Sequence, residues 1–147
     1  MKIAIATDHG AVALKNTLIA YLESKGHEIH DYGTYEPVSC DYPLYAAAAA
    51  RSVASGENDR GIVMCTTGIG MSIACNKVKG IRCALLSDLK SAELTRLHND
   101  TNMMSLGAGV VSEELAKQIV DIWLETEFSG VERHARRNSL VMALENE

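Results

Sequence analysis

The chain has 147 residues, a length that fits one domain, because domains most often contain about 100 to 150 residues. Hydrophobic residues make up 47% and charged residues 22% of the chain, a globular composition that argues against disorder. The net charge of −5 disfavours a nucleic-acid partner, since proteins that bind DNA or RNA usually present a basic face to the phosphates. We therefore interpret residues 1–147 as a single domain.

Neither a membrane span nor a targeting segment is visible in the sequence. The longest uncharged run, residues 61–76, is shorter than the about 20 apolar residues that a membrane-spanning helix needs. Asp8 and His9 interrupt any apolar core that a secretion signal would require. The four cysteines match no CxxC zinc or redox pattern. We expect reduced thiols, no metal site, no membrane partner and a cytoplasmic location.

Apolar segments of strand length alternate with segments of helical periodicity, which is typical of a parallel α/β fold. Strands are predicted at residues 2–6, 28–32, 61–65, 82–86 and 103–106. Helices are predicted at residues 11–25, from 42 onward, from 68 onward, at 89–97, at 112–127 and at 132–144. We expect a three-layer, doubly wound, Rossmann-like fold with a five-stranded parallel sheet in the order 2-1-3-4-5 and a C-terminal helix.

In such a fold, ligands bind beyond the carboxyl ends of the strands, where the strand order reverses. Asp8, His9 and Gly10 follow the first strand, and Cys-Thr-Thr-Gly-Ile-Gly-Met-Ser, residues 65–72, follows the third. Two glycines and a helix start in the second loop place several backbone N–H groups where they can point at an oxyanion. A helix N-terminus also favours the thiolate form of Cys65, which could then act as a base or nucleophile. The alternative is that Cys65 is a buried strand residue and the glycines only make a tight turn.

The second loop matches none of the familiar phosphate-binding motifs. A dinucleotide-binding loop would need a third glycine where Ile73 stands, and the Gly-Lys-Ser/Thr of a Walker loop does not occur. A cysteine-phosphatase loop would need an arginine where Met71 stands. Asp88 partly mimics the acidic residue that binds the ribose in a dinucleotide site, but none of the three motifs fits.

A second group of candidate residues lies nearer the C-terminus. Three of the chain's arginines fall within residues 133–137, and Arg133 and Arg137 are spaced to lie on one helical face, where they could clamp an anion. His98 closes the fourth predicted helix. Both groups belong to the amino edge of the sheet. If they serve the same reaction as Cys65, a second subunit has to bring them to it. If they do not, the arginines form a solvated basic face and His98 caps a helix C-terminus.

Five motifs occur in order along nearly the whole chain. They are Asp8-His9-Gly10, Asp41-Tyr42-Pro43, Cys65 to Ser72 with Asn76-Lys77 and Gly80-Ile81-Arg82, His98 to Asn102, and Arg133-His134 with Arg137. Together these motifs resemble the ribose-5-phosphate isomerase B family, which also includes galactose-6-phosphate isomerases. The resemblance implies interconversion of D-ribose 5-phosphate and D-ribulose 5-phosphate through an enediolate, without a metal or an organic cofactor.

The resemblance also implies roles for individual residues. Cys65 would be the base that moves the proton between C2 and C1, with Thr67 holding the enediolate oxygens. His98 would donate a proton in opening the sugar ring, with Asp8 assisting transfers between sugar oxygens. The implied substrate contacts are Asp8, His9, Thr66, Thr67, Gly68, Ile69, Gly70, Asn99, Arg133 and Arg137. Of these, Asn99 would bond sugar hydroxyls, and His9 and the two arginines would hold the phosphate. The implied assembly is a homodimer with composite sites, which could pair further into a tetramer.

Two positions depart from the family pattern. Thr66 stands where the family commonly has glycine and could narrow the pocket, whereas Gly109 stands where a further phosphate-contacting arginine is common and would open space. The second departure motivates an alternative substrate, a six-carbon sugar phosphate such as allose or galactose 6-phosphate. A third hypothesis is a non-catalytic phosphosugar sensor, although a binder would not need Cys65, Thr67 and His98 together.

Overall fold

The computed structural model describes residues 1–147 and contains one parallel sheet whose two faces are covered by helices. The strands are β1 Lys2–Thr7, β2 Glu28–Asp31, β3 Arg60–Cys65, β4 Cys83–Leu85 and β5 Met103–Gly107. The helices are α1 Val12–Ser24, α2 Tyr42–Ala54, α3 Ile69–Asn76, α4 Leu89–Asn99, α5 Glu113–Glu125 and α6 Glu132–Ala143, followed by a 3-10 turn at Leu144–Asn146. The predicted α/β architecture is confirmed. None of these helices combines the length and the apolar character needed to span a bilayer.

The strand order is β2-β1-β3-β5-β4, so the predicted order 2-1-3-4-5 is wrong at its last two positions. All five residues of β5 are buried, as expected of a central strand covered on both faces. The three residues of β4 are only partly buried or exposed, as expected of a short edge strand. After β3, the chain therefore forms β4 at the edge of the sheet. It then returns through α4 to form β5 between β3 and β4.

The alternation of side chains along the strands builds two separate cores. On β1, Ile3 and Ile5 pack in one core with the apolar side chains of α1, α4 and α5. Ala4 and Ala6 pack in the other core with α2 and α3. The alanine run of α2 is buried against this second face, and its small side chains let the helix approach the sheet closely. The sheet is thus a fixed platform between two helical layers.

The starts of α5 and α2 differ in whether a side chain caps the helix. Ser112 caps α5, because its hydroxyl accepts a hydrogen bond from the backbone N–H of Leu115 at 3.1 Å. Asp41 precedes α2, yet its side chain makes no capping hydrogen bond, and Pro43 lies in the first turn. The aspartate side chain therefore does not cap α2, and the first turn of the helix contains a proline instead.

The corrected strand order brings three loops together at the carboxyl edge of the sheet. The Ala108 and Gly109 N–H groups donate to the carbonyl oxygens of Cys65 and Thr66, at 2.9 and 2.8 Å. On the other side of β3, the Asp8 N–H donates to the Met64 carbonyl at 3.2 Å. The loop after β3 therefore lies between the loops that follow β1 and β5.

Candidate active site

Cys65 is the last residue of β3, and its thiol faces the turn that leads into α3. The backbone N–H of Gly68 donates to Cys65 Sγ at 3.0 Å. The sulfur thus accepts a hydrogen bond from the backbone at the N-terminus of α3. The side chain also packs with the core between the sheet and α2 and α3, and only 6% of its surface is exposed. Cys65 is therefore a buried strand residue, as one interpretation of the sequence expected. Its sulfur is also hydrogen-bonded to the loop, as the other interpretation expected.

Glycines shape the loop because neighbouring groups leave no room for side chains. Gly68 has a φ of 78°, and a Cβ there would lie 2.6 Å from Leu85 Cδ1 and 2.8 Å from the carbonyl carbon of Leu106. A Cβ on Gly70 would lie 2.8 Å from Cζ of Tyr42. The Ser105 hydroxyl donates to the Gly68 carbonyl at 2.6 Å. The loop is therefore fixed from several sides, and its N–H groups are held in place before any anion binds.

The two threonines of this loop are exposed at the edge of the sheet. Thr67 Oγ1 accepts a hydrogen bond from the N–H of Ile69 at 3.3 Å. The hydroxyl of Thr66 has no hydrogen-bond partner in the chain, while its side chain lies between Gly10 and Gly109. A Cβ on Gly10 would overlap with Thr66 Oγ1, and a Cβ on Gly109 would lie 3.2 Å from Thr66 Cγ2.

Asp8 lies beside Cys65 because β1 and β3 pair in parallel, with Thr7 opposite Met64. Its carboxylate is mostly buried and accepts a hydrogen bond from the Gly10 N–H at 2.7 Å. The ring of His9 is about half exposed, and its Nδ1 lies 4.0 Å from Asp8 Oδ2. The carboxyl edge therefore brings a carboxylate, an imidazole, a thiol and a row of backbone N–H groups into one place.

A second cluster lies at the amino edge, where α4 and α6 meet. The rings of His98 and His134 contact each other with centroids 4.3 Å apart, and Asn138 Nδ2 donates to the His98 carbonyl at 3.1 Å. Arg133 and Arg137 are exposed and make no ion pair within the chain. Burial, aided by the charges of His98 and these arginines, lowers the pKa of His134. This cluster leaves two cations free for an anion.

The two clusters lie at opposite ends of the sheet within one chain. Cys65 pairs with Gly107 at the end of β5, whereas α4 ends at Asn99, just before β5 begins at Met103. The five residues of β5 span roughly 16 Å at the usual rise per residue. The structure thus brings Asp8, His9 and residues 65–70 together, and separately His98, Asn99, Arg133 and Arg137, but it does not join the two groups.

Comparison with known proteins assigns this arrangement to a family. The family described as Ribose/Galactose Isomerase matches residues 3–141. The chain belongs to this family. It is 46% identical over 144 residues to ribose-5-phosphate isomerase B of Escherichia coli (strain K12), covering 98% of this chain and 96% of that protein. It is 44% identical over 132 residues to D-erythrulose-4-phosphate isomerase of Pectobacterium atrosepticum, covering 88% and 86%.

Solved structures of the same family superpose closely on the chain. Ribose-5-phosphate isomerase B of Clostridium thermocellum has a TM-score of 0.97 and 46% sequence identity, with 99% of this chain and 98% of that chain covered. The predicted resemblance is therefore confirmed, and with it the prediction of a sugar-phosphate isomerase of the ribose-5-phosphate type at the level of the family. The roles of individual residues stay predictions.

The sequence predicted no role for two residues that shape the site. Tyr42 fills the space beside Gly70, and Ser105 anchors the Gly68 carbonyl. Tyr42 belongs to the Asp41-Tyr42-Pro43 motif, which was a signal in the sequence, whereas Ser105 lies inside an apolar strand and could be found only through its partner. Both act on the shape of the loop rather than on its charge.

Proposed function

We propose that this chain interconverts D-ribose 5-phosphate and D-ribulose 5-phosphate through an enediolate, with Cys65 as the base. The observation that carries the proposal is the 3.0 Å hydrogen bond from the Gly68 N–H to Cys65 Sγ, at the start of α3 and beside Asp8. A thiolate there has anion-binding N–H groups on one side and a carboxylate on the other. The substrates named for the relatives support the same reaction.

The chemistry at the carboxyl edge follows from these groups. The thiolate of Cys65 removes the proton from C2 of the open aldose phosphate, and negative charge develops on the oxygen at C1. Backbone N–H groups of residues 67–70, with Thr67, stabilise that oxygen, and the proton then returns to C1 to give the ketose. Fixed donors of this kind usually contribute more to catalysis than any other single effect, and loss of one costs about 3 to 4 kcal/mol.

The remaining steps use the groups of the amino edge together with Asp8 and His9 of the carboxyl edge. His98 donates a proton to the ring oxygen when the furanose opens, Asp8 assists proton transfers between sugar oxygens, and Asn99 bonds sugar hydroxyls. Arg133 and Arg137, with His9 from the other edge, hold the phosphate. Binding energy from a group remote from the reacting carbons positions the substrate for the chemical step.

These roles need a second copy of the chain, and the surface of α6 supports one. Arg133, Arg137, Leu140, Val141 and Leu144 fall on one helical face, and the three apolar side chains are 52–60% exposed. Beside the Cys65 loop, Ile69 and Ile73 of α3 are 50% and 56% exposed. A homodimer that covers these faces would bring each arginine pair to the partner's thiol and give two composite sites. Pairing of two such dimers would give a tetramer.

Transfer of solvent deuterium tests the reaction. D-Ribose 5-phosphate incubated with the protein in D₂O should give ribulose 5-phosphate with deuterium at C1, read by NMR, because the proton passes through a base that exchanges with solvent. Binding of the sugar phosphate without exchange would instead favour the non-catalytic sensor.

Thr66 partly fills the space beside Gly109 that motivated the six-carbon alternative. A Cβ on Gly109 would lie 3.1 Å from the Thr66 carbonyl oxygen and 3.2 Å from Thr66 Cγ2. We therefore place ribose 5-phosphate first, and relative rates on five- and six-carbon aldose phosphates test that order.

Several further predictions belong to the same proposal. We infer that residues 1–147 act as one isomerase domain, in the cytoplasm, without a metal or an organic cofactor. Dialysis against EDTA should leave turnover unchanged, and a loss restored by a divalent cation would contradict the metal-free reaction.

A further inference from the structure

Thr66 fills the gap where the three loops of the carboxyl edge meet. Its Oγ1 occupies the space that a Cβ on Gly10 would need, and its Cγ2 lies against Gly109 on the other side. Both neighbours lack side chains, so the side chain of Thr66 fills the space between them. A larger residue on either neighbour would collide with it.

The side chain of Thr66 is turned toward the candidate site. The Cβ position of Gly10 is 3.2 Å from Asp8 Oδ1 and also meets Thr66 Oγ1, so the carboxylate and the hydroxyl border the same point. The residue is exposed, and its hydroxyl makes no hydrogen bond within the chain. The methyl group contacts Gly109 while the hydroxyl stays free beside Asp8.

Thr66 also lies between the two anchors of the proposed substrate. It follows Cys65, the proposed base, and its side chain reaches Gly10, which follows His9, one of the proposed phosphate ligands. An open-chain aldose phosphate reacts at C1 and C2 and carries its phosphate on the last carbon. Each added carbon therefore has to fit between the same two anchors, in the space that Thr66 borders.

We propose that Thr66 sets the longest sugar phosphate that the site accepts and restricts turnover to chains of five carbons or fewer. This inference rests on the proposed isomerase activity and adds the substrate class to it. The side chain acts as a wall of the space between the two anchors, and Gly10 and Gly109 are the neighbours that make room for that wall.

The test compares erythrose 4-phosphate, ribose 5-phosphate and allose 6-phosphate as substrates. Wild-type protein should turn over the five-carbon substrate with a higher kcat/KM than the six-carbon one. Thr66→Gly should raise the ratio of six-carbon to five-carbon kcat/KM by about 10-fold or more, the usual worth of one methylene in a fitted pocket. Thr66→Ser, which removes only the methyl group, should shift the ratio in the same direction by less.

Thr66→Val is the matched variant for volume. It keeps the wall but removes the hydroxyl, so it should lower kcat/KM for every substrate and leave the six-carbon to five-carbon ratio near that of the wild type. A changed ratio in this variant would overturn the steric account, because volume would then not be the deciding property.

The outcomes that oppose the proposal can be told apart. Measurable five-carbon turnover with an unchanged ratio in both the glycine and the serine variants would overturn the role of Thr66 alone. A wild-type preference for allose 6-phosphate would also overturn it. Absence of turnover on all three substrates would overturn the proposed isomerase activity, and with it this inference.

Discussion

The two edges of the sheet differ in how their functional groups are held. At the carboxyl edge, the N–H groups around Gly68 are fixed by Leu85, Leu106 and Ser105, all within contact distance. At the amino edge, Arg133 and Arg137 extend into solvent from a helix and have no ion-pair partner. One edge is thus built from fixed backbone, and the other presents long, exposed side chains.

This difference matches two different chemical tasks. Charge that develops during a reaction is stabilised best by donors that need no rearrangement, as at the start of α3. A phosphate carries its charge throughout, so long guanidinium side chains can capture it and close on it. In the proposed reaction, the carboxyl edge of one copy stabilises the charge that develops on the substrate, and the amino edge of the partner copy captures the phosphate and opens the sugar ring.

Removal of the Cys65 thiol should lower kcat more than any other change described below. A small effect on kcat would contradict the role given to the carboxyl edge. Cys65→Ala should lower kcat about 100- to 10,000-fold, the usual contribution of a positioned base, while KM stays near the wild-type value. Steady-state kinetics on ribose 5-phosphate measures both quantities. Cys40→Ala is the matched control, since that cysteine lies outside the site in the loop before α2. Near-normal kcat in Cys65→Ala would assign the base elsewhere.

The rigidity of the carboxyl edge can be tested at Gly68. Gly68→Ala should lower kcat about 100- to 1,000-fold, because its Cβ would push against the Leu106 carbonyl carbon at 2.8 Å and displace the N–H donors. Gly56→Ala is the control for backbone strain. Gly56 also has a positive φ of 80°, but no atom lies within 4 Å of its Cβ position. Equal effects of the two changes on kcat would contradict a role for the fixed loop.

Loss of a cation at the amino edge should act on binding instead. Arg137→Ala should raise KM about 10- to 100-fold with a smaller change in kcat, since a hydrogen bond to a charged group contributes about 1.5 to 3 kcal/mol. Arg136→Ala is the matched control, because that guanidinium lies 3.6 Å from Glu132 in an ion pair on the helix surface. An effect on kcat alone would place Arg137 in the chemistry rather than in capture.

The contact between His98 and His134 at the amino edge should make the stability of the folded chain depend on pH. Burial and nearby positive charge lower the pKa of His134 from its ordinary value of 6.5, so the unfolded chain takes up a proton at a higher pH than the folded chain. Stability should therefore fall as pH drops through about 6.5. Thermal unfolding of His134→Gln should show a smaller decrease in Tm across that range than the wild type. An identical decrease would contradict burial of a neutral imidazole beside His98.

The arrangement of strands and helices followed from local patterns, whereas the lateral order of two strands did not. Apolar runs and turn residues predicted every strand to within one residue at each end. The exchange of β4 and β5 depends on which strand is covered on both faces, and that is a property of the assembled layers. A signal was present, since residues 103–107 carry no charge whereas the predicted fourth strand began with Arg82.

The same distinction holds for the candidate site. The Cys65 loop and Asp8 were predictable because each follows a strand at the edge where parallel strands end together. The role of Tyr42 against Gly70, the anchor from Ser105 and the position of Thr66 between two glycines were not, because each depends on a contact between residues distant in the sequence. Such contacts exist only after the layers have packed.

A heterodimer of two defective chains tests most directly whether the two edges work together across a subunit boundary. Cys65→Ala and His98→Ala chains, each with a different affinity tag, would be co-expressed and purified through both tags. If the sites are composite, each heterodimer has one intact site and should show about half of the wild-type turnover per dimer, although each variant alone is nearly inactive. A heterodimer as inactive as its parents would contradict the account, because each site would then draw both residues from one chain.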